Sequence, residues 1–337
     1  MKILVIQTAF IGDVILATPI VEKLRRHFPN ATLDFLLRRG NEKLLAGHPH
    51  IRHTFVWDKK AGKIRDGLRI LRLLRRERYD LVVNCQRFLT SGLFTVFAGA
   101  KTSVGFDKNP LSWLFSRRVA HRFGTAAQPI HEVERNLKLI ENLTDGSFER
   151  PKLHPSAADF AKAERLKSEI VRRDSFGGNW KFVTLAPTSV WFTKQWPAHK
   201  WAELIRTFPT DCGVFLLGGP PDFEACEAIR TAAGRGENLA GKLTFLESAA
   251  LMAGAAMNYV NDSAPMHMAS AMNAPVTAIF CSTVPAFGFG PLSDKSFVVE
   301  TSENLACRPC GLHGYRACPK GHFRCAEGIG VEQFGKF

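Results

Sequence analysis

Asp13 stands where an apolar strand, Lys2 to Gln7, turns through Gly12 into an apolar helix running to about Phe28. Far along the chain, Val260-Asn261-Asp262-Ser263-Ala264-Pro265-Met266-His267 repeats the device: a strand, a polar turn, then a helix of small residues. At such a turn, unpaired N–H groups and the positive end of the helix dipole can hold a diphosphate. The first device carries a proton acceptor, which the dipole favours in the ionised form a general base needs. The second carries donors for a departing phosphate, Ser263 and, one helical turn on, His267. Two more loops add to it. Thr188 and Ser189 offer hydroxyls, and Lys194 a compact charge suited to phosphate. In Gly218-Gly-Pro-Pro-Asp222-Phe-Glu224 the glycines permit close backbone approach, and Glu224 can accept bonds from sugar hydroxyls. Taken singly, each has an ordinary reading, such as a solvated lysine or a packed histidine. Taken together, they describe an inverting group transfer from a nucleotide diphosphate. A base removes a hydroxyl proton, and fixed electrostatics stabilise the leaving group.

Alternating strands and helices must position these groups. The expected strands of the first half are 2–7, 32–37, 54–57, 81–85 and 102–105, with helices over 14–28, 40–46, 64–78 and 91–97. Helix 64–78 is amphipathic and strongly basic, with Ile64, Leu68, Leu71 and Leu74 read as its core face. A polar helix from Ser156 and a loop over 174–179 read as a linker, 156–180. Alternation then restarts, with strands at 182–186, 213–217, 238–239, 257–261 and 276–280. Continuous apolar strands suit parallel sheets covered on both faces. The expected architecture is α/β: two doubly wound domains, 1–155 and 181–337, with ligands beyond the carboxyl ends of the strands.

Composition narrows the partners. The net charge of +14 is uneven: residues 1–150 hold 26 Lys+Arg and 14 Asp+Glu, a net of +12, which leaves +2 for the rest. The first half therefore reads as the part that meets a polyanion or an anionic surface. The basic run 65–78 lacks the interleaved aromatics of a single-strand nucleic-acid surface, so nucleic acid is not expected. A strand-one G-x-G-x-x-G, a P-loop and a D-x-D triplet are all missing, which disfavours NAD, P-loop and metal-diphosphate chemistry. With neither a signal peptide nor a spanning segment found, a cytoplasmic protein is expected. In the tail, Cys307-Arg-Pro-Cys310, Cys318 and Cys325 could form a structural zinc site or pack as reduced thiols.

Four segments together carry a family resemblance: Gln7 to Asp13 with Ala17-Thr-Pro19; Lys101 to Phe106 leading to Arg117-Arg118; Thr188-Ser189 with Lys194-Gln-Trp-Pro197; and Asn261 to His267. The chain resembles the ADP-heptose lipopolysaccharide heptosyltransferases of glycosyltransferase family 9, whose fold is GT-B, two facing Rossmann-like domains with a cleft between them. Its tail is similar to those of heptosyltransferase II-like members. The resemblance implies Asp13 as catalytic base and no metal in catalysis. It implies Thr188, Ser189, Lys194, Glu224, Asp262, Ser263, Ala264 and His267 as donor-binding positions. Ala264 departs from the glycine frequent there, and its methyl group narrows the approach to phosphate. The implied acceptor is the anionic inner core of lipid A, with Arg38, Arg39, Lys59, Lys60, Lys63, Arg117, Arg118 and Arg122 as candidates to meet it. The enzyme is then expected as a monomer, peripheral on the cytoplasmic face of the inner membrane. The residues also leave room for a family 9 transferase with another sugar or a protein acceptor, or for a non-catalytic binder of anionic surfaces or nucleic acid.

Overall fold

The computed structural model describes residues 1–125, 128–174 and 180–335. The chain divides into two units, Met1–His154 and Pro155–Phe337. The first contains β1 (Lys2–Ile6), α1 (Ile11–His27), β2 (Thr32–Arg38), β3 (Ile51–Trp57), α2 (Lys63–Glu77), β4 (Leu81–Asn84), α3 (Leu89–Phe97), β5 (Thr102–Phe106), β6 (Arg117–Val119) and α4 (Glu132–Lys138). Its six strands form a parallel sheet in the order β3-β2-β1-β4-β5-β6. The order reverses between β1 and β4, which makes their carboxyl ends the topological switch point. Ile3 to Ile6 are wholly buried, as an apolar strand covered on both faces should be.

The helix expected over 40–46 is a short 3-10 turn, Glu42–Leu45. The core face of α2 is only partly the one expected: Leu74 is buried and Leu71 packs against the core, but the other two residues turn away. Ile64 and Leu68 are exposed, while Gly67, Ile70 and Leu74 face the core. The reason is Asp66. It turns inward, accepts a 2.7 Å bond from the Asp58 N–H and pairs with Arg69 at 2.5 Å. Holding the β3–α2 loop in this way rotates the apolar pair into solvent.

The second unit contains α5 (Ala157–Asp174), β7 (Phe182–Ala186), α6 (Ala198–Thr207), β8 (Gly213–Leu216), α7 (Phe223–Ala233), β9 (Glu237–Asn238), α8 (Phe245–Ala253), β10 (Met257–Asn261), α9 (Ala264–Ala271), β11 (Val276–Phe280), β12 (Ser296–Glu300) and α10 (Arg324–Glu327). Its parallel sheet runs β12-β11-β10-β7-β8-β9, with the switch point between β7 and β10. Helix α5, expected as a linker, lies in this unit and packs on α8, where Lys162 pairs with Glu247 at 2.9 Å. Residues 175–179 of the expected loop lie outside the described residues. No described helix is long and apolar enough to cross a membrane.

Candidate active site

Asp13 lies in the first turn of α1, just past the carboxyl end of β1. Its Oδ2 accepts the Phe10 N–H at 3.0 Å, closing the turn. The loop is held from both sides. Asn41 Nδ2 donates to the Ala9 carbonyl at 3.0 Å, and Thr8 donates to Gln86 at 2.6 Å across the switch point from the end of β4. Charges bracket the carboxylate. Burial lowers the pKa of the Arg38 guanidinium, and the negative charge of Asp13 opposes that. Burial raises the pKa of the Glu132 carboxyl; Arg135 opposes the rise and Asp13 adds to it. Asp13 therefore sits between a cation and a second acid. Beside them, burial and then the charges of Arg87 and Arg135 push His121 down to about 4, so the ring is neutral near pH 7. Gln86, Arg87, Glu132 and Arg135 were not singled out from sequence, because no motif marks the loop after β4 or the start of α4.

The basic candidates form two groups. Arg38, Arg39, Lys59, Lys60 and Lys63 gather at the ends of β2 and β3. Arg39 pairs with Asp58 at 2.5 Å, and the Lys59 ammonium stacks 4.7 Å over the Trp57 ring. Burial, then the charges of Arg38 and Lys63, lowers the pKa of Lys59. Arg117 and Arg118 lie on β6 and Arg122 just beyond it, at the opposite edge of the sheet. Five strand spacings of about 4.8 Å put some 24 Å between β3 and β6, so one compact anion cannot touch both groups.

In the second unit the strand ends bring several expected groups to one switch point. Lys194 Nζ lies 2.7 Å from Asp262 Oδ2, with both side chains largely buried. The same oxygen accepts Thr283 Oγ1 at 2.6 Å. Asn261 ties the two loops together: its Nδ2 donates to the Pro187 carbonyl at 2.8 Å, and its Oδ1 accepts Trp196 N at 3.1 Å. Thr188 and Ser189 follow β7 half-buried, and the Ser189 carbonyl is held by Gln195 Nε2 at 2.8 Å. Ser263 is the N-cap residue of α9, Ala264 the first residue of that helix, and Pro265 fits the first turn. His267 is buried, its ring 6.5 Å from that of Phe289. Glu224 is exposed in the first turn of α7, past the end of β8. It therefore follows the strand next to β7, whereas Lys194 follows β7 and Asp262 follows β10.

The tail completes this unit. Arg308 bonds the Cys281 carbonyl at 2.7 Å and that of Thr283 at 2.8 Å, and pairs with Glu300 at 2.5 Å. Tyr315 N donates to Thr193 Oγ1 at 2.8 Å, one residue before Lys194, and Ser282 Oγ lies 3.0 Å from the same oxygen. Gly314 is at φ +75°, where a Cβ would stand 2.8 Å from Thr193 Oγ1. Gly314→Ala should therefore cost more than Gly321→Ala. Gly321 has a similar φ of +73° but open space around it. Backbone strain alone is worth about 1–2 kcal/mol, and only Gly314→Ala adds the clash. Denaturant melts of the two variants check this; equal losses would mean the contact carries nothing.

The four tail thiols influence one another. Cys307, Cys310 and Cys318 are half-buried and Cys325 is buried. Burial and then Cys310 and Cys318 push Cys325 up to about 11. Burial opposes ionisation of Cys318 too, but the backbone N–H groups of Phe323, Lys320, Gly321 and His322 outweigh it and lower its pKa. Among the described residues, no three of these thiols lie close enough together to share one ion as they stand.

Against this geometry stand the known proteins the chain resembles. The model of glycosyltransferase family 9 (heptosyltransferase) matches residues 68–314. Lipopolysaccharide heptosyltransferase 3 of Escherichia coli K12 is 30% identical over 291 residues, 82% of this chain and 81% of that protein. The solved family 9 glycosyltransferase of Veillonella parvula superposes with a TM-score of 0.80 at 21% identity, covering 99% of this chain and 94% of that one. E. coli heptosyltransferase WaaC, solved with ADP, gives 0.73 at 17%, covering 99% and 98%. The fold expected from the sequence, GT-B, is the fold these structures share with it.

Proposed function

This chain belongs to glycosyltransferase family 9, and from that premise we propose that it transfers L-glycero-D-manno-heptose from ADP-heptose to the inner core of lipopolysaccharide. One observation carries the reading: a largely buried lysine, Lys194, is locked to Asp262 at the switch point of the second sheet, beside the amino end of α9. That is where an anionic leaving group gains most from a fixed cation and helix N–H groups. A relative solved with ADP supports the choice of nucleotide.

In the proposed reaction Asp13 accepts the proton of an acceptor hydroxyl. The freed oxygen attacks the anomeric carbon from the face opposite the diphosphate. The new C–O bond forms as the bond to the diphosphate breaks, and the configuration inverts. ADP leaves with its charge met by Lys194, the Thr188 and Ser189 hydroxyls and the first turn of α9. Ser263 and His267 line the nucleotide end, and Glu224 meets sugar hydroxyls. The tail thiols, which belong to the second unit, are assigned either a structural zinc or packing as reduced thiols, and no part in the proton transfer.

The test is incubation of the protein with ADP-heptose and a set of truncated core acceptors, followed by weighing of the products. A mass gain of one heptose on one acceptor supports the proposal; no gain on any acceptor overturns it.

The acceptor is a lipid, and the surface suits one. Exposed Ile64 and Leu68 stand among Lys59, Lys60, Lys63 and Arg65, an apolar pair in a basic field. We propose that this face of the first unit docks on the inner membrane from the cytoplasmic side. Sedimentation with liposomes should show stronger binding to anionic than to neutral lipid, weakened by salt. Equal binding to both would remove the proposal.

A further inference from the structure

Helix α1 carries a second acid, Glu22, whose side chain is 6% exposed. Imidazoles from two other segments converge on it. His154 Nε2 lies 2.8 Å from its Oε1, and His48 Nε2 lies 3.4 Å from the same oxygen. His50 Nε2 is 3.7 Å from Oε2. One donor atom each from Glu22, His48 and His154 lies within 4.8 Å of the others. The edge of a tetrahedron with bonds of about 2.0 Å is near 3.3 Å, so the three need only a small contraction to share one ion. The His48 side chain is 1% exposed, and its Nε2 makes no hydrogen bond although it points at the carboxylate.

We propose that Glu22, His48 and His154, with His50 as the fourth donor, form a binding site for a divalent transition cation, zinc in the first instance. Two or three imidazoles and a carboxylate are a borderline-soft set that matches zinc and its neighbours and disfavours magnesium and calcium. Ligation requires the lone pair of His48 Nε2. The ring proton then sits on Nδ1, and the 3.2 Å contact that Nδ1 now accepts from His50 N–H is given up. Lys152 Nζ, 3.8 Å from Oε2, is half-exposed and swings to solvent. The ion would fasten three parts of the first unit together: the helix that bears Asp13, the turn before β3 and the last residue of the unit, His154.

The test uses the full chain, stripped with a chelator and titrated with cobalt(II), then zinc. Cobalt bound by nitrogen and oxygen shows visible ligand-field bands without a thiolate charge-transfer band. The tail cysteines would add that second band, so the two sites read out separately. The expected result is one equivalent that gives ligand-field bands without a charge-transfer band, counted apart from any thiolate-bound cobalt and displaced by zinc. Glu22→Gln should weaken it at least tenfold, and Cys307→Ser should leave it intact. Should Glu22→Gln fail to fold, His50→Ala, at a side chain 30% exposed, must show the weakening instead. Wild-type cobalt spectra confined to the thiolate type, or ligand-field bands untouched in the folded variant, would overturn the site and leave a plain histidine–carboxylate cluster. Neither outcome bears on the transfer reaction.

Discussion

Asp13→Asn will lower the rate of heptosyl transfer by about a thousandfold, within the range ordinary for loss of a positioned general base. Affinity for ADP will be unchanged, because the proposed diphosphate groups all belong to the second unit. Asparagine is the informative replacement. Its side-chain oxygen can still accept the Phe10 N–H that closes the turn. What it loses is the capacity to take a proton, together with a helix-end interaction worth only about 0.3–1 kcal/mol. Thermal melts should therefore stay close to wild type while product formation collapses. A variant that transfers at wild-type rate would remove Asp13 from the mechanism. A variant that loses ADP binding as well would point to a structural role.

Lys194→Ala has two expected effects. Loss of a charge-assisted bond to the diphosphate, about 1.5–3 kcal/mol, weakens ADP binding some ten- to hundredfold. Stability also falls, by about 3–5 kcal/mol, since Asp262 is left buried with its charge unmatched. The double variant Lys194→Met with Asp262→Asn separates them. Its amide can still accept from Thr283, and no charge remains uncompensated. It should regain most of the stability and none of the affinity. Calorimetric titration with ADP and denaturant melts read the two quantities. Wild-type ADP affinity in the single variant would break the assignment of Lys194 to the phosphate.

Most strands and the positions of Asp13, Lys194 and Asp262 at strand ends were legible because parallel strands buried on both faces are written as continuous apolar runs. What the sequence hid follows from the same physics. Strand β6 is Arg117-Arg118-Val119, an edge strand without that signature, and β12 offers only the three-residue apolar run Phe297-Val298-Val299. The first turns of α2, Ile64 and Leu68, were misjudged where a buried acid, Asp66, faces inward instead, while Leu71 and Leu74 pack as expected. The tail's grip on Thr193 depends on backbone groups of residues far away in sequence, which no local pattern announces. The eight basic residues looked like one patch by count. Strand order, invisible from composition, separates them to opposite edges.

Read from either end, the two sheets follow one plan: three strands counted backwards, then three counted forwards, with the proposed chemistry at the reversal. A polypeptide built as the same blueprint twice can alter one copy without disturbing the other. With the acceptor assigned to the first unit and the donor to the second, as proposed above, recognition of the recipient glycan and of the activated sugar would become separately evolvable traits, and the peptide bond after His154 the seam at which chimeras of related transferases would exchange them.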